Sequence, residues 1–320
     1  MNYKDCAELL KKNNGYLILT HRNPDGDTVG SAAALCSALR RAGKTAYLYQ
    51  NPDLNGKLLE YAQPYFISAG VLPGYPEEEF KPDYVIATDV ATEGMLPKGF
   101  EGAVQLCVDH HPSNTHYAEN CFVNGERASC GEIILEIIKA LRGNVTKNEA
   151  TLLYMALSTD TGCFKYANTN SQAFRAAAEM LRFGADNADI NFKFFRTASP
   201  ARIKLEGLIY SSLSYYRDGK ITVAVITNEM MDAAGATDED TDDIASLAGR
   251  AEGCQLSVTI REKKDGVCRL SLRSTEAVNS SEICAVFGGG GHAMAAGCSI
   301  TGTPEKAREM ILDVIDEVWK

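Results

Sequence analysis

Residues 21–27 read HRNPDGD, which places His21, Asp25 and Asp27 within seven positions. Three groups of the same chemical type follow in order: Asp89 in VIATD, Asp109, His110 and His111 in VDHH, and Asp160 in STDTGCF. Imidazoles and carboxylates without cysteine suit manganese, iron or cobalt better than calcium or magnesium. Collected in one pocket, Asp25, Asp27, Asp89 and Asp160 would repel. Two carboxylates ~4 Å apart do so by roughly 4 kcal/mol at an effective dielectric of about 20. Arg22 is the one cation within these segments, so four converging carboxylates call for bound cations. Two divalent ions supply the balancing charge, and ions ~3.5–4 Å apart can share a carboxylate and activate a water. Each piece alone has a plainer reading. PDGD is a turn sequence, and a lone His-His pair is usually surface or core. Their ordered joint occurrence tips the balance, since His21, His110, His111 and His292 account for four of the five histidines. His116 reads as ordinary loop.

Positioning these groups requires strands that end at one edge. Strands are expected over residues 16–20, 46–50, 83–88 and 104–108, where apolar runs suit strands covered on both faces. Helices are expected over 30–42, 131–141, 147–157 and 171–183. Alternation of the two types predicts an α/β fold with a mainly parallel, doubly wound sheet. In such sheets ligands bind outside the carboxyl ends of the strands, and three of the four clusters follow predicted strands. The pattern changes after about residue 190. A connector and helix lead to strands over 221–226, 255–261 and 267–273, with EKKDG as a hairpin turn between the last two. A helix is expected over 238–250, with its acidic residues at the start, and another over 304–319. The expected organisation is a first domain over 1–190, a hinge over 191–204 and a smaller α+β domain over 205–320, with a cleft between the two. The hinge would bend near 195–200.

A second diagnostic stretch is FGGGGHAMAAG, residues 287–297. A flexible linker would lack the flanking Phe287 and the small apolar residues after His292. Successive glycines can instead line a concave anion nest with backbone N–H groups.

Composition narrows the functional class. The formal net charge of −10 argues against wrapping a long duplex, where Lys and Arg must neutralise phosphates. It does not exclude a small anionic substrate. No apolar run approaches the ~20 residues that span a bilayer. The N-terminal segment reads as a short amphipathic helix rather than a signal peptide, so a cytoplasmic protein without membrane association is expected. The ten cysteines show no C-x-x-C spacing and read as buried small hydrophobes.

The ordered set HRNPDGD…GS, ATD, DHH and STDTGCF resembles the four motifs of the DHH phosphoesterase superfamily. FGGGGHAMAAG and LSLRS (residues 270–274) resemble its DHH-associated C-terminal domain of the nuclease and synthetase type. The superfamily includes RecJ-like exonucleases, nanoRNA-degrading oligoribonucleases that also act as pAp phosphatases, cyclic-dinucleotide phosphodiesterases, exopolyphosphatases and type II inorganic pyrophosphatases. The last carry a different C-terminal domain. The resemblance implies two manganese ions, one held by His21, Asp25 and Asp89, the other by Asp27, Asp89, His110 and Asp160. It further implies that Asp109 orients a ligating histidine and that His111 faces the substrate phosphate, both in catalytic roles. Arg273 and Ser274 would contact phosphate or base, and Gly289, Gly290, Gly291 and His292 would face the metal site. Two departures stand out. No basic residue follows Asp89 before Lys98, and Lys165 replaces a common arginine, giving a point charge in place of a bidentate fork.

The implied activity is two-metal hydrolysis of short oligoribonucleotides to mononucleotides, together with 3′-phosphoadenosine 5′-phosphate to AMP. The alternative on the same core is a soluble cyclic di-AMP phosphodiesterase. Below these stand a RecJ-like single-strand exonuclease, for whose extra domain there is no room, and an inactive nucleotide-binding protein. The last is disfavoured because all six implied metal ligands are present. The expected partners are short nucleotides, and a homodimer is compatible with the sequence.

Overall fold

Apolar runs bounded by turn residues become the inner strands of a parallel sheet. The structure is a computed structural model and describes residues 1–54, 56–66, 80–241 and 244–319. The chain divides into two units, Met1–Thr197 and Ala198–Lys320.

The first unit runs α1 (Tyr3–Lys12), β1 (Tyr16–Leu19), α2 (Gly26–Arg41), β2 (Ala46–Leu48), α3 (Gly56–Ala62), β3 (Tyr84–Thr88), β4 (Leu106–Asp109), β5 (Asn120–Val123), α4 (Cys130–Arg142), α5 (Lys147–Asp160), α6 (Ser171–Arg182) and α7 (Asn187–Asn191). The sheet order is β2-β1-β3-β4-β5 and every neighbouring pair is parallel. β1, β3 and β4 are buried at every position, as strands covered on both faces must be. Ile18, Ile86 and Val108 point into the larger core, which is shared with α1, α2, α4, α5 and α6. Leu17, Leu19, Val85 and Ala87 point the other way, against Val90, Leu96 and Val104. Leu19 pairs with Ala87, and Thr88 with Val108. The segments carrying His21, Asp89 and His110 therefore leave the sheet at one edge.

Small residues set how closely the helices approach. Ala32, Ala33 and Ala34 are fully buried. A Cβ on Gly30 would lie 2.4 Å from the Leu152 carbonyl oxygen of α5, and one on Gly131 would lie 2.7 Å from the Ala156 Cβ. Glycine at both positions lets α2 and α4 press against α5. Gly30 thus serves a helix–helix contact.

The start of α2 differs from the sequence expectation. The helix begins at Gly26, not Gly30, so Asp27 lies in its first turn and Asp25 is the N-cap. The Asp25 Oδ1 accepts hydrogen bonds from Asp27 N (3.0 Å) and Thr28 N (3.1 Å). A carboxylate that satisfies the first free N–H groups starts a helix earlier than the apolar pattern does.

The second unit runs α8 (Pro200–Ser211), β6 (Ser214–Tyr216), β7 (Ile221–Ile226), α9 (Asn228–Ala234), β8 (Leu256–Glu262), β9 (Val267–Ser274), α10 (Ser280–Ala285), β10 (Gly290–His292), β11 (Ala295–Thr301) and α11 (Pro304–Val318). Its six-stranded sheet has the order β10-β11-β9-β8-β7-β6. It is mixed: β7 and β8 are parallel and the other pairs antiparallel. Two corrections apply here. The helix expected over 238–250 is instead three short 3-10 turns, Asp238–Thr241, Ile244–Ser246 and Ala248–Arg250, with Asp242 and Asp243 outside the described residues. Asp240 accepts from Thr237 N at 2.9 Å, a local bond that competes with helix formation. Ile244, Leu247 and Ala248 are drawn into a core with Ala224 and Ile226 of β7. The second correction concerns the glycine run, in which Gly290 and Gly291 are strand residues paired with Gly297 and Ala296. A Cβ on Gly289 would lie 2.3 Å from the Gly297 carbonyl oxygen, and one on Gly291 2.5 Å from that of Ala295. These glycines permit close strand contact rather than forming a continuous nest.

Candidate metal centre

The strand ends of the first unit bring six side chains together. His21 follows β1, Asp89 follows β3, His110 follows β4, Asp25 and Asp27 start α2, and Asp160 ends α5. Asp89 is at the centre. Its Oδ2 lies 3.7 Å from His21 Nε2, and its Oδ1 lies 3.4 Å from His110 Nε2. His21 Nε2 is also 3.6 Å from Asp25 Oδ1. His110 Nε2 is 3.7 Å from Asp27 Oδ2 and 3.6 Å from Asp160 Oδ2. Three groups of donors therefore cluster, His21–Asp25–Asp89, Asp27–His110–Asp160 and Asp89–His110–His111, with Asp89 in two of them.

These separations are long for hydrogen bonds. Donors bound at about 2.1 Å to one cation sit roughly 3–3.5 Å apart, and these lie at 3.4–3.7 Å, close to that spacing. Asp89 adds a sharper observation. Its Oδ1 is buried and accepts no hydrogen bond, a costly state for a carboxylate oxygen unless a cation or a proton completes it. The residue also holds a left-handed backbone, φ 61°, which is strained for a side chain with a Cβ and common where function fixes geometry. The donor set fits a divalent cation.

The surrounding groups aim the donors. His21 Nδ1 donates to the Arg22 carbonyl at 2.8 Å, and His110 Nδ1 to that of Arg127 at 3.1 Å. Each ring thus turns Nε2 toward the carboxylates, the usual arrangement for a ligating histidine. Asp27, 1% exposed, accepts from Cys130 N (2.7 Å), Gly131 N (3.0 Å) and Ser31 Oγ (3.0 Å). The N-terminus of α4 therefore points at this carboxylate. Asn168 reaches the Asp160 carbonyl and lies 3.5 Å from Oδ2.

Asp109 is fully buried and is bonded to the His111 side chain. Its Oδ1 bonds His111 Nδ1 at 2.8 Å, and its Oδ2 accepts from Asn114 Nδ2 at 2.6 Å. It reaches His110 only through the backbone N–H, also at 2.8 Å. The ring it orients is His111, which the expectation placed toward substrate.

Charge is high before any cation binds. Burial opposes protonation of His21, but Asp25 and Asp89 outweigh it and push its pKa up to about 9. Burial likewise opposes charge on His110, and Asp89, Asp27 and Asp160 raise it to about 10. Burial, with Asp89 and Asp25 adding, lifts Asp160 to about 7 despite His110. Burial and then Asp89 and Asp160 hold Asp27 well above the carboxylate range. The Asp109 hydrogen bond raises His111.

The remaining candidates lie in the second unit. Arg273 is exposed on β9, and its Nη1 donates to the Leu272 carbonyl. The Ser274 hydroxyl donates to the Val278 carbonyl at 2.7 Å and contacts Ser280 Oγ at 2.9 Å, so it ties the end of β9 to the start of α10. Gly289 precedes β10, while Gly290, Gly291 and the exposed His292 form it.

Sequence reasoning did not identify Asn51, Asn114, Arg127 or Asn168. Asn51 donates to the His21 carbonyl at 2.9 Å. Asparagine is common in loops, and only the fold reveals these contacts; the five-residue step from Asp109 to Asn114 is the one short-range signal.

Comparison with known proteins agrees with this architecture. The model of the DHH family, N-terminal domain, matches residues 16–157, and that of the DHHA1 domain matches residues 218–320. A Thermus thermophilus relative, the bifunctional oligoribonuclease and PAP phosphatase NrnA, is 31% identical over 97% of this chain and 92% of its own length. The cyclic-di-AMP phosphodiesterase PdeA of Listeria monocytogenes is 25% identical over 98% of this chain, which spans 49% of that protein. An exopolyphosphatase-related protein from Bacteroides fragilis shares the fold with a TM-score of 0.86 at 22% identity, covering 98% of this chain and 96% of that one. The chain belongs to the DHH family, with a DHHA1 domain following the catalytic-type unit.

Proposed function

We propose that this protein is a divalent-metal-dependent phosphoesterase that hydrolyses short oligoribonucleotides to mononucleotides and 3′-phosphoadenosine 5′-phosphate to AMP. The observation that carries the reading is the buried, unbonded Asp89 Oδ1 at the junction of two imidazole–carboxylate sets. The Thermus thermophilus relative, matched over nearly its whole length, supports the substrate class. We assign two manganese ions, with His21, Asp25 and Asp89 toward one and Asp27, Asp89, His110 and Asp160 toward the other.

Bound there, the cations supply Lewis-acid polarisation of the phosphoryl group and a water nucleophile at neutral pH. The protein's own groups do the rest. Asp109 holds the His111 ring and favours its protonated form, so that His111 can donate to a phosphoryl oxygen as charge develops. The α4 N-terminus holds Asp27 in place through Cys130 N and Gly131 N, and would favour its ionised form toward a bound cation. Arg273 and His292, both exposed, are assigned to the nucleotide. No helix among the described residues is long and apolar enough to cross a membrane, and we assign the protein to the cytoplasm.

The test is a substrate panel with Mn²⁺: a linear di-adenylate, cyclic di-AMP, 3′-phosphoadenosine 5′-phosphate and polyphosphate, with products resolved by chromatography. AMP from the first and third is expected. Turnover confined to cyclic di-AMP would instead favour the activity named for the Listeria relative. No turnover at confirmed metal content would overturn the enzyme reading.

A further inference from the structure

Asp160 ends α5, and the chain behind it takes an uncommon path. Gly162, Cys163 and Phe164 adopt φ of 55°, 57° and 64°. Two consecutive non-glycine residues in the left-handed region carry strain, which persists where surrounding structure and function demand it. Phe164 anchors the turn: it is partly buried, and its ring stacks on Phe174 at 5.3 Å with a 21° interplanar angle. The chain then doubles back, with Lys165 N and Tyr166 N both donating to the Thr161 carbonyl. Tyr166 lies over Gly162, where a Cβ would come within 2.3 Å of the ring. The ring nevertheless stays 47% exposed. Two residues on, Asn168 bonds the Asp160 carbonyl and approaches its carboxylate. The turn therefore packs a half-exposed aromatic ring on Gly162, two residues after Asp160, and is tied back to Asp160 by Asn168. The Lys165 side chain beside it is exposed and makes no hydrogen bond or ion pair with the described residues.

We propose that Tyr166 is a stacking platform for the nucleobase of a nucleotide whose phosphate lies at the Asp89–Asp160 cluster. This rests on the phosphoesterase reading above. Every base has a π-face, so an exposed ring holds a nucleotide without selecting its sequence. Lys165 adds a cation for the same ligand's phosphate. Tyr166 is thus a positioning residue that acts on binding rather than on the bond broken.

Two measurements on the full, Mn²⁺-loaded chain test this. The first titrates 2-aminopurine riboside 5′-monophosphate, whose fluorescence falls when its base stacks. Saturable quenching is expected for the unaltered protein and for Tyr166→Trp. Tyr166→Leu is expected to bind about tenfold more weakly and to lose the quench. An unchanged quench and Kd in Tyr166→Leu would overturn the proposal. The second measurement is the steady-state rate with a dinucleotide. Tyr166→Leu should raise KM about tenfold with kcat unchanged, and Tyr166→Trp should restore KM. A fall in kcat with KM unchanged would mark a purely structural residue and refute the assignment. Should the unaltered protein hydrolyse no oligonucleotide, the functional reading fails, while the mononucleotide titration still decides whether Tyr166 stacks a base.

Discussion

Asp109 Oδ1 holds His111 Nδ1 at 2.8 Å, and Asn114 secures the other carboxylate oxygen at 2.6 Å. The ring proposed to meet the substrate is thus set by a buried anion two residues away, with Asp89 Oδ1 3.5 Å from the same nitrogen.

Asp109→Asn keeps the shape but removes the charge that favours protonated His111. The expected result is a kcat loss on the order of 10²-fold, within the usual range for a positioned proton donor, at unchanged metal content. The pH profile carries the sign. Asp109 raises the His111 pKa, so protonation lasts to higher pH in the native protein, and the alkaline limb should move to lower pH in the variant. A profile that does not move would separate Asp109 from His111 function.

Asp89→Ala and Arg273→Ala should fail in different ways. The first removes the carboxylate shared by two of the donor groups, so bound metal and kcat should fall together. The second removes an exposed guanidinium, so KM should rise with kcat little changed. Metal analysis beside steady-state kinetics checks both, and equal kcat losses would contradict the division.

Metal binding should release protons. Below about pH 9, His21 and His110 hold protons in the metal-free protein, with pKa values of about 9 and about 10. Ligating imidazoles must be neutral, so affinity should rise with pH from 6 to 8, on a scale of about tenfold per unit for each proton displaced. Calorimetry in buffers of different ionisation enthalpy reads the proton count directly. Heats independent of buffer would exclude these histidines as ligands or show them neutral already.

Gly30→Ala should destabilise the first unit. Its Cβ would meet the Leu152 carbonyl oxygen at 2.4 Å, a backbone atom that cannot rotate away. Overpacking of this kind costs about 1–3 kcal/mol, seen as a lower Tm. Metal affinity should fall as well, because α2 carries Asp27. An unchanged Tm would mean that α2 and α5 can separate without cost.

Much of the parallel sheet was legible because β1, β3 and β4 are buried on both faces and read as unbroken apolar runs. β5, β6, β10 and β11 were missed. The first three, NCFV, SYY and GGH, are short or polar, β11 opens on the small residues AAG, and each is a strand only because a neighbour supplies its ladder. Residues 238–250 failed in the opposite sense, since their helical pattern lost to local aspartate bonds and to burial against β7.

The sequence by itself determined the chemistry: the residue types, their order and their places after strands, hence a cation-dependent reading before any coordinate was known. These are local properties, carried by side-chain type and by spacing of a few residues. Tertiary structure decided the assignments. It gave Asp109 to His111, turned the start of α4 onto Asp27 across 103 positions of sequence, left Asp89 Oδ1 without a hydrogen bond and folded Tyr166 over Gly162. Contacts between distant segments leave no periodicity along the chain, so only the packed fold could set them.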